Sequence, residues 1–257
     1  MKGLFFEDIE VGYGTRTVLR GIGAEPLLPG TVTALIGPNA AGKSTLMRAI
    51  AGLLPLKRGA IAVDGTRIEK LRLRPRAKYV RYVPQTYATS ARLSVYDAVH
   101  VAARAAAPDE APRDIRLAVA ATLERTGTAP LADRMVCDLS GGQQQLVALA
   151  QGLVRPAPVL LLDEPTSALD LRNQLEALRL LRDAGRRDGI AVAVAMHDLA
   201  LAARHADRVI LLSQGAIVAD GTPDDVFAAP ECGAAYGVEL AATRSGSGAL
   251  LIEASLP

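Results

Sequence analysis

The stretch Gly37-Pro38-Asn39-Ala40-Ala41-Gly42-Lys43-Ser44-Thr45 decides how the rest of the chain is read. It fits the pattern G-x-x-x-x-G-K-[ST], and it has the flanks that give such a match meaning. An apolar, β-branched run at 31–36 precedes it, and a helical run at 46–51 comes after. Glycines let backbone N–H groups wrap around phosphate oxygens, and the helix N-terminus adds its partial positive charge. Lys43 is then placed to reach terminal phosphates, and the Ser44 hydroxyl to ligate Mg²⁺. A glycine-rich turn before a helix is the plainer alternative. It leaves unexplained why one of only five lysines in the chain falls at this position.

Outward from this loop the first third reads as short strands: 4–11, 31–36, 60–63 running into the Asp64-Gly65 turn, and 79–83 ending at Pro84-Gln85. From 94 to 155 the chain becomes Ala-rich with helical spacing. Val95, Ala98, Val99 and Ala102 share one face, and Leu117, Ala120, Ala121 and Glu124 continue the pattern in a second segment. Pro108 and Pro112 are expected to break this region, and Pro156 and Pro158 close it. Strands then alternate with helices: 159–162, a helix over 171–186, 190–196, a helix from Leu199, and 208–212. That rhythm predicts a mixed, mainly parallel sheet with helices on both faces. Thr222 reads as an N-cap with Pro223 at the first helical position. The segments 238–241 and 249–252, around Ser245-Gly246-Ser247-Gly248, read as a terminal hairpin. The expected organisation is one α/β unit over 1–257, with its core at 1–85 and 156–257 and a helical lobe at 86–155 inserted between them.

Composition narrows the classes. Hydrophobic residues make up 50% and charged residues 22% of the 257 residues, which excludes disorder and a collagen-like chain. A chain of this size buries roughly 70% of its extended surface, enough for a core without disulfides. With 29 basic and 27 acidic side chains the net charge is +2, so a general polyanion-binding surface is not indicated and no nucleic-acid partner is expected. Cys137 and Cys232 form neither a disulfide framework nor a zinc set, which fits a reducing compartment. Early acids at Glu7 and Asp8 argue against a signal peptide, and no apolar run reaches the ~20 residues that span a bilayer.

Two further constellations carry chemistry. Val159-Leu160-Leu161-Leu162-Asp163-Glu164-Pro165 has the apolar run of a central parallel strand, with two carboxylates at its carboxyl end. There Asp163 would hold Mg²⁺, directly or through water, and Glu164 would orient and deprotonate an attacking water. Leu139-Ser140-Gly141-Gly142-Gln143 opens a helix reaching about 153, and is a second glycine-bearing helix start suited to an anion. Its simpler reading is a Ser N-cap after a loop.

Together, and in this order, these motifs make the chain resemble the nucleotide-binding subunit of an ATP-binding-cassette transporter, a P-loop NTPase with an N-terminal antiparallel β portion and an inserted α-helical signature subdomain. The resemblance covers nearly the whole chain. It implies ATP and Mg²⁺ as ligands, with residues 37–45 on the phosphates and Ser44, Gln85 and Asp163 around the metal. It matches Tyr13 to the aromatic residue that stacks on adenine, and Gln85 to the glutamine that senses Mg²⁺ and the γ-phosphate. His197 matches the switch histidine, and Lys43, Glu164 and His197 form the catalytic group. Asp170, in Ser167-Ala168-Leu169-Asp170, matches the segment crossing a dimer interface, and would also serve as the N-cap of the helix after it. Ser140, Gly141, Gly142 and Gln143 would close on ATP bound to a second copy.

Two positions depart from the family pattern. Ala40 stands where many members have glycine, and Leu146 where many have arginine. The first would cost about 1 kcal/mol if the backbone there is left-handed; the second would alter how its helix packs.

The resemblance also implies partners. These are a second copy of the chain, separate polytopic permease subunits and, indirectly, a periplasmic substrate-binding protein, with the chain peripheral on the cytoplasmic face of the inner membrane. The run from Leu162 to Gln174 and the tail with Tyr236-Gly237-Val238 resemble the branch that serves importers of iron chelates, haem and cobalamin. The expected role is therefore an ATPase energising import of haem or an iron–siderophore. Alternatives are another metal chelate or cobalamin, or a soluble cassette ATPase acting on nucleic acid or ribosomes.

Overall fold

The computed structural model describes residues 2–85, 92–246 and 248–257; the start of the expected helical lobe at 86–91 and Ser247 of the terminal hairpin lie outside them. Every residue of Val32–Ile36 (β3) is buried, as a strand covered on both faces requires. It pairs in parallel with Ala191–Ala195 (β8) on one side and Arg208–Ser213 (β9) on the other. Val159–Asp163 (β7) and Val80–Val83 (β6) extend the parallel array beyond β8, and Ala216–Gly221 (β10) adds an antiparallel edge beside β9. The six-stranded order is β10-β9-β3-β8-β7-β6.

A second sheet, β2-β1-β4-β5, is antiparallel and joins Leu4–Tyr13 (β1), Arg16–Leu27 (β2), Arg58–Val63 (β4) and Thr66–Arg67 (β5). Helix Lys43–Ala51 (α1) lies between the two sheets. Phe6, Ile9, Leu19, Leu46, Met47 and Ile61 bury themselves there against Leu35, Leu161 and Ala193 of the parallel sheet. Helices stand on both faces as expected, but on this one α1 shares the cover with strands. One face is covered largely by an antiparallel sheet, as the inward row of apolar side chains on that sheet dictates.

The opposite face is helical, built from Leu171–Asp188 (α6), Leu199–His205 (α7) and Pro223–Ala228 (α8), with Leu178, Leu181, Leu201 and Phe227 packed on Val192, Val194 and Leu211. Val95–Ala106 (α3), Pro112–Arg125 (α4) and Gly141–Leu153 (α5) share a third apolar cluster that includes Val99, Ile115, Leu123 and Val147. The expected break lies at 107–111 between α3 and α4, with Pro108 inside it and Pro112 as the first residue of α4, where its missing N–H has no intrahelical partner to lose. Thr222 caps α8 as expected, in a reciprocal box with Asp225. Pro230–Tyr236 (α9) leads into the hairpin of Glu239–Arg244 (β11) and Leu250–Ser255 (β12). Leu73–Arg76 (α2) is a single turn. Among the described residues no helix is long and apolar enough to cross a membrane.

That turn has a structural task. Arg76 is 3% exposed and donates Nε to Ile50 O at 2.9 Å and a terminal nitrogen to Ala49 O at 2.9 Å. These carbonyls end α1, where acceptors lack intrahelical partners and a cation is favoured. Burial lowers the Arg76 pKa, with Glu69 opposing, but a guanidinium stays charged. Gly52, at φ +80, completes the cap; a Cβ there would lie 2.7 Å from Arg76 Cδ. Arg76→Met should destabilise the protein by about 1–3 kcal/mol in denaturant titration, chiefly through the abandoned Ile50 carbonyl, since Ala49 O keeps the Gly52 N–H at 3.0 Å. Arg76→Lys should recover under half of that, since one ammonium lacks the fork that reaches both carbonyls. An unchanged midpoint in the Met variant would show that α1 does not depend on this cap.

Candidate active site

The neighbouring strands β3, β8, β7 and β6 all point their carboxyl ends the same way, so the segments leaving them meet along one edge. After β3 comes the loop 37–42 and α1, after β8 His197, at the end of β7 Asp163 and Glu164, and after β6 Gln85. Sequence predicted each of these residues, and the strand order brings them together. A cleft of about 400 Å³ opens there, lined by Tyr13, residues 39–45, Glu164 and His197. Tyr13 ends β1 and is 47% exposed, with its ring available to a planar ligand.

The loop is shaped by close approach. Gly42, at φ +112, precedes α1, and a Cβ on it would lie 2.6 Å from Leu19 Cδ2 of β2. Ala40 has φ +63, so the left-handed backbone anticipated at that position is present, at a cost of about 1 kcal/mol. Lys43 is buried and folds back, donating Nζ to Gly37 O at 2.6 Å and Pro38 O at 3.2 Å. Burial lowers its pKa, against the opposing pull of Glu164 and Asp163.

Asp163 accepts from Ser44 Oγ at 2.9 Å on one oxygen and from Tyr82 Oη at 3.0 Å on the other. Burial pushes the Tyr82 hydroxyl up to about 12, with Arg48 opposing and Asp163 adding, so it remains a donor at working pH. Glu164 is engaged at both carboxylate oxygens, by Gln85 Nε2 at 2.5 Å and by His197 Nε2. Its backbone sits at φ +52. A left-handed glutamate persists only where neighbours over-determine it. Here the Glu164 carbonyl accepts from Gln145 Nε2 at 2.7 Å, Ser167 Oγ at 3.1 Å and Ser167 N at 3.3 Å.

Gln145, Tyr82, Arg16 and Val18 were not anticipated. Arg16 and Val18 line the cleft from β2, a strand whose sequence does not announce it. Gln145 was visible only as a glutamine after Gln144, and its amide partners lie far along the chain. Its Nε2 holds Glu164 O, and its Oε1 accepts from Ala168 N at 3.0 Å. Leu146, the other departure, packs against the main core.

The remaining predicted residues stand apart from this cleft. Ser140 caps α5 in a box with Gln143: its Oγ accepts from Gln143 N at 3.3 Å, and its own N–H reaches Gln143 Oε1 at 3.1 Å. Gly142 packs so closely on the 167–170 segment that a Cβ would lie 3.0 Å from Ala168 O. Asp170 caps α6 through Asn173 N at 2.8 Å. Each helix-cap reading is thus realised, and none of 140–143 or Asp170 lines the cleft of its own chain.

The oxygen donors suit Mg²⁺. A hydroxyl and a carboxylate already lie within hydrogen-bond distance, and among the described residues no cluster of three His, Cys, Asp or Glu forms a protein-only cage. Mg²⁺ prefers such a sparse set, completing its shell with water and phosphate oxygens.

Comparisons with known proteins place the chain among its relatives. The hemin import ATP-binding protein HmuV of Streptomyces coelicolor is 45% identical over 86% of this chain and 78% of its own length. The iron(3+)-hydroxamate import ATP-binding protein FhuC of Bacillus subtilis is 35% identical over 88% of this chain and 85% of its own. Among solved structures, cbiO1 from Clostridium perfringens, described as part of the ABC transporter complex cbiONQ, superposes with a TM-score of 0.77 at 33% identity, covering 89% of this chain and 91% of that one. The family profile described as ABC transporter matches residues 26–167, more than half the length and the whole span from before the phosphate loop through Ser167; the chain belongs to the ABC transporter family.

Proposed function

We propose that this chain hydrolyses ATP to drive import of haem or an iron–siderophore complex through separate transmembrane subunits. The observation that carries the chemistry is the Glu164 carboxylate, partly buried just past the end of β7 and held by Gln85 and His197 at the mouth of the phosphate loop. The cargo class rests on the names of the hemin and iron(3+)-hydroxamate relatives.

Adenine stacks on Tyr13, and the backbone amides from Asn39 to Thr45 cradle the phosphates. Lys43 leaves the Gly37 and Pro38 carbonyls for the β- and γ-phosphate oxygens. Ser44 and Asp163 would hold Mg²⁺, which would supply positive charge against the charge that builds on the phosphate in the reaction. Glu164 orients a water in line with the γ-phosphorus and takes its proton as the new P–O bond forms and the bond to the bridging oxygen breaks, leaving ADP and inorganic phosphate. His197 steadies the γ-phosphate, and Gln85 reports its presence to the helical lobe at 86–155. The chain works from the cytoplasmic face of the inner membrane, with a periplasmic binding protein delivering cargo to the far side.

Glu164→Gln should keep nucleotide binding, measured with a fluorescent ATP analogue, while phosphate release falls about 10²-fold or more. Turnover at the wild-type rate would remove Glu164 from this role.

Because residues 140–143 lie outside their own chain's cleft, a second copy would bring them to it, giving a head-to-tail C2 dimer with two ATP molecules at the interface. Mixing Lys43→Ala chains with Ser140→Arg chains places both lesions on one site of a heterodimer and leaves the other intact. Purified heterodimers should therefore recover activity that neither homodimer shows. No recovery would count against the composite site.

For cargo, the expected outcome in liposomes carrying the cognate transmembrane subunits is uptake of haem or ferric siderophore that requires ATP on this subunit's side and is stimulated by the loaded binding protein. ATP-driven movement away from the binding-protein side would overturn the importer assignment.

A further inference from the structure

The tail residue Tyr236, which sequence links only to a branch of cargo, reaches the phosphate loop. Gly37 leaves β3 at φ +142, and a Cβ on it would lie 2.0 Å from Leu212 O, so no side chain at this position can brace the peptide. Its orientation is set by hydrogen bonds. The Gly37 N–H donates to Tyr236 Oη at 2.7 Å, and the Gly37 carbonyl accepts from Lys43 Nζ at 2.6 Å. One residue therefore joins the C-terminal segment to the lysine of the loop, across 199 positions of sequence.

Tyr236 is well placed for this contact. It ends α9, where Gly237 at φ +68 turns the chain and Val238 N donates back to Gly233 O at 3.1 Å. Cys232, four residues earlier, is fully buried in the main core and anchors the helix. The ring thus arrives on a braced element. Burial raises the Tyr236 pKa well above the ordinary phenol value, so the hydroxyl stays neutral. Neutrality matters beside a triphosphate. A carboxylate in this place would also accept from Gly37, but its charge would repel the phosphates and compete for Lys43. A phenol supplies an acceptor without that charge.

We propose that Tyr236 is a positioning residue for ATP: its hydroxyl fixes the Gly37 peptide and so pre-sets the loop from which Lys43 engages the phosphates. The inference rests on the reading that ATP binds this loop. Without the hydroxyl the first peptide of the loop loses the side-chain acceptor of its N–H, and part of the binding free energy goes into ordering it. The effect falls on nucleotide affinity rather than on the chemical step, because Glu164, His197 and Asp163 stand on other strands.

The test is Tyr236→Phe in the full-length chain, which keeps the ring and deletes the acceptor, beside Cys232→Ala, which loosens the same helix without touching the loop. Steady-state hydrolysis, equilibrium binding of a fluorescent ATP analogue and thermal midpoints are measured on both. Tyr236→Phe should raise KM and Kd about three- to tenfold, the range expected for one hydrogen bond, with kcat within about twofold. Cys232→Ala should lower the midpoint and leave KM unchanged. Amide hydrogen exchange should show the Gly37 peptide losing protection in Tyr236→Phe while α1 keeps it. Wild-type KM and Kd in Tyr236→Phe, or an equal rise in Cys232→Ala, would overturn the positioning role. Failure of the wild-type chain to bind the analogue would instead strike at the ATP-site reading itself.

Discussion

Glu164 occupies a backbone conformation that a glutamate does not choose. At φ +52 it depends on donors gathered around its carbonyl, of which the strongest by distance is the Gln145 amide at 2.7 Å. Gln145 stands on α5, little more than one turn from Ser140, and its other end holds the Ala168 N–H. A single buried side chain thereby ties together the helix that opens at the signature, the carboxylate at the end of β7 and the segment leading to Asp170. The helical lobe thus supplies one of the three donors that hold the Glu164 backbone, the other two coming from Ser167. Displacing α5 would take from the Glu164 carbonyl its shortest hydrogen bond and leave it to Ser167 N and Oγ. Lobe position is thus coupled to the proposed catalytic base through one hydrogen bond, since losing the closest donor to a buried acceptor has a cost.

The rest of the cleft is braced in the same manner, by contacts from distant parts of the chain. Arg76 holds the far end of α1, Leu19 presses on Gly42 at its near end, and Tyr82 and Ser44 hold the two oxygens of Asp163. Two non-glycine residues with positive φ, Ala40 and Glu164, face this cleft from opposite sides. Together they store roughly 2–4 kcal/mol of backbone strain. Packing on both faces of the parallel sheet is extensive enough to sustain that.

How much of this could be read beforehand depends on the range of each interaction. The loop 37–45 was legible because strand, glycines, lysine and helix are contiguous, and the Asp163-Glu164 pair because an apolar strand precedes it directly. Thr222 and Pro223 announced α8 through local capping chemistry alone. By contrast β2 carries Gly21, Gly23, Glu25 and Pro26 in a pattern that resembles loop, and becomes a strand only through its irregular pairing with β1. Arg76, Gln145 and Tyr236 find their partners 26, 19 and 199 residues away, beyond the reach of any local pattern. Pro108 and Pro112 announced the break between α3 and α4 locally, since proline is barred from a helix interior and favoured at a helix start.

Capping and ligand binding at Ser140 are compatible in the geometry of this cap. In the cap the Ser140 oxygen accepts from the Gln143 N–H, which uses a lone pair and leaves the hydroxyl proton free. The amides of Gly141 and Gly142 belong to the first turn of α5, where no carbonyl inside the helix can accept from them. A capped helix start therefore still presents one O–H and two N–H donors, backed by the positive end of a helix of 13 residues. With no side chains on 141 and 142, an anion can approach those donors closely. On the proposed reading, the γ-phosphate carried by a second copy would meet a surface already folded and satisfied, and closure would need no rearrangement of the cap that holds α5 in place.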